Sequence, residues 1–249
     1  MDSVSITTLT CRVIDAGCIE YQSAWDWQRR LVAKRSAGQC PDTLLLLEHP
    51  PTITLGRAAK REHVLIDAAE LARRGVTLVE SDRGGDVTYH APGQVVGYPI
   101  IKLSRYGGDL GRYVRNLEEI VIQVLTTYGI AAGRIPGLTG VWVEESETAS
   151  SEFDLLAANI RRPNQAKIAA IGVKLSASGV TAHGFALNVD PDLRGFAQIV
   201  PCGIRDRSVT SMAQILGAAP SRAEVIERVI TSYRDVFGVD LQQSDSMHR

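Results

Sequence analysis

Cys202, Lys167, His90 and His183 are the side chains whose type and setting in this sequence could carry nucleophilic or acid-base chemistry. Cys202 lies in Val200-Pro201-Cys202-Gly203-Ile204, where the proline fixes the approach and the glycine opens space after the thiol. A free thiol, with a pKa near ~8.5, is only a few per cent thiolate at neutral pH, so a nucleophilic role demands a cation or base beside it. Lys167 opens the otherwise apolar stretch Lys167-Ile168-Ala169-Ala170-Ile171-Gly172-Val173. A lysine held against apolar neighbours loses hydration, which disfavours its charged form and lets it trade protons near neutral pH. His90 and His183 are rival bases. Plainer accounts fit each residue taken alone: a structural loop cysteine, a strand-entry lysine that snorkels to water, and a satisfied core histidine at 183.

The segment Arg83 to Gln94 sets Gly84 and Gly85 beside Arg83, Asp86, Tyr89 and His90. Such glycines permit positive φ and close approach of the backbone to another group, which suits a loop that holds a ligand. The apolar run Val95 to Ile101 then pins that loop to a sheet. A β-hairpin with Gly-Gly-Asp as its turn is the simpler alternative. Arg57, just after Gly56, could reach an anionic group or stand solvated on the surface.

The elements that must position these residues follow in order. Thr7 to Ile14 alternates as a strand, and Ile19 to Arg35 reads as a surface helix. Thr43 to Leu47 is a continuous apolar run that fits a strand buried on both faces, ended by Glu48-His49-Pro50-Pro51, and Thr52 to Leu55 resumes as a strand. Asp67 caps a short helix from Ala68 to Arg74, and Val76 to Val79 leads into the glycine loop. Asp109 begins a helix with apolar residues at three-and-four spacing that stops at Gly129. Gly140 to Glu144 is a strand. Lys167 to Leu175 and Val180 to Val189 form an antiparallel hairpin interrupted by Gly172 and Gly184. Ser221 and Glu224 make the capping box of a last helix that ends before Gly238. A polar insertion spans about 145–166, and the tail 242–249 is expected to fray.

These elements imply one α/β domain of the α+β type over 1–249, with a mixed, largely antiparallel sheet flanked by helices. A formal net charge of -1 offers no basic face for nucleic acid. No run approaches the ~20 apolar residues of a membrane span, and the N-terminus has no signal-peptide pattern, so a cytoplasmic protein is expected. Cys11, Cys18, Cys40 and Cys202 include no C-x-x-C pair and no histidine at zinc-site spacing, so no metal is expected, and the first three read as small buried thiols.

Taken together, Glu48-His49-Pro50-Pro51 with Leu55-Gly56-Arg57, then Arg83 to Gln94, Gly140 to Val143, Lys167 to Leu175, His183 to Val189 and Pro201 to Ile204 occur in one order. That ordered set resembles the lipoyl(octanoyl) transferase family, octanoyl-[acyl-carrier-protein]:protein N-octanoyltransferases, which are related in fold to lipoate and biotin protein ligases. A glycine-rich loop ending in histidine is similar to one in those ligases. No single block is decisive, and the ordered set, ending in Pro-Cys-Gly, is specific.

The resemblance implies transfer of an octanoyl group from acyl carrier protein to a lysine on lipoyl domains of 2-oxoacid dehydrogenase subunits or the glycine-cleavage H protein. It implies a thioester on Cys202, with Lys167 as the partner lysine and no cofactor beyond the phosphopantetheine thioester that the substrate brings. Substrate contacts map to Arg83, Gly84, Gly85, Asp86, Val87, Thr88, Tyr89 and His90, to Ala170, Ile171 and Gly172, and to Gly184, Phe185 and Ala186. An ATP-dependent lipoate or biotin ligase is the main alternative. A Cys–His hydrolase and a carrier-binding module without catalysis complete the set.

Overall fold

The computed structural model describes residues 9–144, 165–200 and 207–243. Strand β1 (Leu9–Cys18) and strand β2 (Asp42–Glu48) pair in parallel, and helix α1 (Tyr21–Ser36) makes the crossover between them. The leucines of β2 are all buried because alternate ones serve different layers. Leu44 and Leu46 pack with helices α3 (Leu110–Thr126) and α5 (Arg222–Phe237), whereas Leu45 and Leu47 pack with α1. A continuous apolar run is what a strand covered on both faces requires.

Five antiparallel pairings extend this sheet through β6 (Gln94–Ile100), β10 (Thr181–Asn188), β9 (Gln165–Leu175), β8 (Leu138–Glu144) and β7 (Ala132–Ile135). At the other edge β12 (Val239–Gln243) lies parallel to β1, and β11 (Ser208–Val209) lies parallel beside β9. Among the described residues the order is β12-β1-β2-β6-β10-β9-β8-β7. The sheet is therefore mixed and largely antiparallel, with helices on both faces, as the sequence implied.

A smaller sheet has β3 (Thr52–Leu55) at its centre, parallel to β4 (Thr77–Glu80) and antiparallel to β5 (Val87–His90), with α2 (Ala68–Arg73) packed against it. Because β3 lies between β4 and β5, the Arg83–Asp86 turn joins two strands that are not hydrogen-bonded to each other. The hairpin alternative for Gly-Gly-Asp is thereby excluded.

Helix signals held where a side chain makes the cap. Asp67, Asp109 and Ser221 each accept a backbone N–H three residues on, Glu224 completes the capping box, and Gly238 ends α5 at φ +61°. The strands β5, β7, β11 and β12 and the short helix α4 (Met212–Leu216) have no strong period and are not announced by the sequence. Gln242 and Gln243 belong to β12 rather than to a loose tail, because the chain after Gly238 returns along β1. Gln165 and Ala166 belong to β9, while 145–164 and 244–249 lie outside the described residues. No helix among the described residues is long and apolar enough to cross a membrane.

The two sheets meet through backbone. Gly84 N–H donates to Val173 O of β9 at 2.9 Å. A Cβ added at Gly172 would lie 2.9 Å from Gly84 O, and one added at Gly56 would lie 2.2 Å from Gly85 O. Only glycine permits such approach. Arg83 clamps the same corner from within, its Nε and Nη2 donating to Thr54 Oγ1 at 3.0 and 2.9 Å and Nη2 also to Thr54 O at 2.7 Å. Gly172→Ala should therefore force the seam apart, lowering stability by about 1–3 kcal/mol, the usual cost of overpacking. Urea unfolding measures it, and an unchanged midpoint would show the seam to be slack.

Candidate active site

A cavity of about 470 Å³, open mouth included, lies at this seam. One wall comes from the glycine loop and β5, through Arg83, Gly85, Asp86, Val87, Thr88 and His90. The other comes from β9 and β10, where Ala170, Ile171 and Gly172 stand in register with Ala186, Phe185 and Gly184. The two triplets far apart in the chain are thus cross-strand partners, and all six residues line the cavity. Tyr21 at the start of α1, Tyr98 of β6 and His183 of β10 complete the lining.

Two of the expected contact residues sit elsewhere. Gly84 does not line the cavity; its N–H is spent on β9. Tyr89 does not line it either, because alternation along β5 turns its ring to Phe196, at 5.4 Å between centroids, within the core of the small sheet. Asp86 accepts from Val87 N at 2.8 Å and forms a 2.6 Å pair with His63, so its carboxylate holds the loop to the 3-10 turn Arg61–His63.

The cavity floor is a cluster of imidazoles and phenols. His49 Nδ1 donates to Ile19 O at 2.7 Å, which leaves Nε2 to accept from Tyr98 OH at 2.8 Å. Tyr21 OH is hydrogen-bonded to Ser81 Oγ at 2.9 Å, and its ring stacks on His90 at 5.7 Å. Burial pushes His49 down to about 4. It also pushes His90 well below its ordinary value, with the neighbouring His49 and Arg83 adding to the effect. His183 is lowered by burial too, against the pull of Asp82. At neutral pH the floor is therefore uncharged and suited to an apolar ligand.

His183 is the one non-glycine residue with positive φ, +57°, among the described residues. Its Nε2 donates to Asp82 Oδ1 at 2.7 Å, and its backbone N–H donates to Gln28 Oε1 at 2.8 Å. Lys174 bonds the other oxygen of Asp82. Asp82 is accordingly held below the usual carboxylate range, chiefly by the His183 hydrogen bond. The residue read first as a core histidine is buried, and it also borders the cavity.

Lys167 is 8% exposed and lies three residues before Ala170 on β9, outside the cavity lining. Its Nζ sits 4.7 Å from the centroid of the Trp142 ring. Its backbone pairs with β8 and β11, and Lys167 O accepts from Thr210 N at 3.1 Å. A buried polar chain joins it to the loop. His90 Nδ1 donates to Gln94 Oε1 at 3.1 Å, Gln94 Nε2 to Asn188 Oδ1 at 2.9 Å, and Asn188 Nδ2 to Thr210 O at 2.9 Å.

Cys202 lies outside the described residues, but its flanks are anchored. Val200 N donates to His63 O at 2.8 Å, and Val209 stands beside Lys167. Of the other cysteines, Cys11 is buried in the core and burial raises its thiol to about 12, in keeping with a small hydrophobe. Cys18 departs from that expectation: it is exposed at the end of β1, and partial burial together with Glu48 and Glu20 raises its thiol.

Tyr21, His49 and Tyr98 escaped the sequence reading as site residues. Their one signal is a polar-tipped ring in an otherwise apolar or strand-ending stretch, since a buried hydroxyl or imidazole must find a partner.

Each buried neutral histidine binds fewer protons than its unfolded counterpart between its depressed pKa and the ordinary value near ~6.5, so stability must rise with pH across that window. For His49 the window is about 4 to 6.5. Stability against thermal unfolding should therefore fall as pH drops from 6.5 toward 4, with a slope of up to about 1.4 kcal/mol per pH unit per histidine. His49→Gln should flatten that slope, and a variant with the wild-type slope would remove His49 from the account.

Comparison with known proteins places these features in context. A profile described as lipoyl protein ligase A/B catalytic domain matches residues 20–234. An octanoyltransferase of Chloroflexus aurantiacus is 60% identical over 233 residues, covering 94% of this chain and 96% of its own. One from a Roseiflexus species is 53% identical over 93% of this chain and 89% of its own. Among solved structures, a bi-partite lipoate protein ligase from Thermoplasma acidophilum matches with a TM-score of 0.66 at 15% identity, over 95% of this chain and 87% of that one. A lipoate-protein ligase A bound with ATP matches with a TM-score of 0.65 at 14% identity, over 96% and 89%. At such identities the likeness concerns the fold alone.

Proposed function

The chain belongs to the lipoyl protein ligase A/B catalytic-domain family, and on that premise we propose that it moves an octanoyl group from an acyl carrier protein to the acceptor lysine of lipoyl domains through a thioester on Cys202. It is an acyltransferase, as are the octanoyltransferases that match it over most of its length. The acceptors would be lipoyl domains of 2-oxoacid dehydrogenase subunits and the glycine-cleavage H protein.

The observation that carries this reading is the cavity at the seam, assembled from the glycine loop and the cross-strand triplets of β9 and β10. Burying about six methylenes there at ~0.8 kcal/mol each stabilises the acyl chain by on the order of 5 kcal/mol. Cys202 attacks the thioester carbon, the carbon–sulfur bond to the carrier breaks, and Lys167 passes the thiol proton to the departing thiolate. The acceptor amine then attacks the new thioester, and Lys167 takes its proton and returns it to Cys202. Each turnover exchanges one thioester for one amide, which is downhill, so no ATP is consumed. Lys167 fits this role by its burial and by the β11 segment that brings the chain after Cys202 alongside it.

Incubation with octanoyl-carrier protein and an apo lipoyl domain, followed by intact mass measurement of all three proteins, tests the proposal. One octanoyl group should pass to the lipoyl domain without ATP, and Cys202→Ala should abolish both transfer and the enzyme-bound adduct. Transfer that requires ATP would establish the ligase reading, release of free octanoate would establish a hydrolase, and an adduct on the Cys202→Ala protein would remove that cysteine from the mechanism.

A further inference from the structure

We infer that the turn from Arg57 to Leu65 is the docking surface for the acidic face of the protein that presents the octanoyl thioester, an inference that rests on the acyl-transfer reading above. Arg57, Lys60 and Arg61 are exposed and are opposed within the turn by Glu62 alone, a local excess of two positive charges on a chain whose formal net charge is -1. Lys60 and Glu62 are 69% and 73% exposed and 3.9 Å apart, a separation worth little in water. The side chains of Arg57 and Arg61 have no carboxylate partner among the described residues.

These cations are held in place by the cavity wall. Arg57 N–H donates to Arg83 O at 3.0 Å and Ala58 N–H to Gly85 O at 3.1 Å. Lys60 N–H reaches Asp86 Oδ1 at 3.4 Å, and His63 pairs with the same carboxylate. At its far end the turn is tied to the chain that enters the Cys202 segment, through Val200 N to His63 O and Leu65 N to Gln198 O at 2.9 Å. Leu65 is 55% exposed beside the charges. A basic surface with an apolar residue, fixed to the rim of an acyl cavity, complements an acidic carrier, and its field steers encounter with that carrier more than it strengthens the final complex.

The acceptor domain and the bare phosphate of the pantetheine arm are the competing occupants, and one set of measurements separates them. The triple variant Arg57→Glu, Lys60→Glu, Arg61→Glu is compared with wild type using octanoyl-carrier protein, octanoyl-phosphopantetheine and octanoyl-pantetheine as donors. With the carrier protein, kcat/KM should fall by about tenfold or more. With either small thioester it should stay within about twofold. In the wild type, kcat/KM for the carrier protein should fall steeply as ionic strength rises from about 0.01 to 1 M, and the variant should be nearly flat. A parallel loss with octanoyl-phosphopantetheine would assign the charges to the phosphate and overturn the docking claim. A rise confined to the KM for the lipoyl domain would give the surface to the acceptor, and no loss with the carrier protein would refute it outright. Wild type inactive on every thioester would instead defeat the acyl-transfer reading itself.

Discussion

The small sheet rests on the large one through main-chain contact, and that contact sets the geometry of everything around the cavity. Where Gly172 of β9 meets Gly84, a methyl group on Gly172 would already collide with a carbonyl oxygen, and the same holds where Gly56 meets Gly85 within the small sheet's own turns. Two sheets packed through side chains stand ~10 Å apart. Here the strand residues Ala170 to Gly172 come directly against the loop that carries Arg83 to Asp86, and the space left beside the contact is the cavity. The glycines permit the sheets to approach each other, which in turn leaves room for an apolar chain.

The polar groups around that space are consistent with this purpose. Arg83 directs its guanidinium into Thr54 and Gly84, and Asp86 engages His63, so the charged residues of the loop shape the wall and hold its rim. The imidazoles of His49, His90 and His183 are kept neutral by burial, and the hydroxyls of Tyr21 and Tyr98 are already partnered. In the proposed mechanism proton transfer falls to Lys167, which β9 carries just beyond the cavity lining. A buried chain through Gln94, Asn188 and Thr210 runs from His90 to the strand that bears the lysine.

Much of this was legible in the residues alone. Continuous leucines in β2 announced a strand covered on both faces, and side-chain caps at Asp67, Asp109 and Ser221 placed three helices. The hairpin of β9 and β10 followed from its turn, whereas the register that pairs Ala170 to Gly172 with Gly184 to Ala186 is visible only in the structure. What stayed hidden depends on contacts distant in sequence. Parallel pairing of β12 with β1 has no local signal in Val239 to Gln243, and nothing in Arg83 to Asp86 says that β3 will lie between the strands it joins. Tyr89 and His90 are adjacent, and only the register of β5 assigns one to the core and the other to the cavity.

The central claim is that the seam cavity holds the octanoyl chain, and the chain-length profile of Ala186→Leu tests it most directly. Ala186 lines the cavity across from Ala170, so a leucine there should shorten the space available. Rates of enzyme acylation from butyryl, hexanoyl and octanoyl thioesters should shift toward the shorter chains, with octanoyl falling most and butyryl kept. A profile that keeps the wild-type preference for octanoyl would place the acyl chain elsewhere and contradict the account.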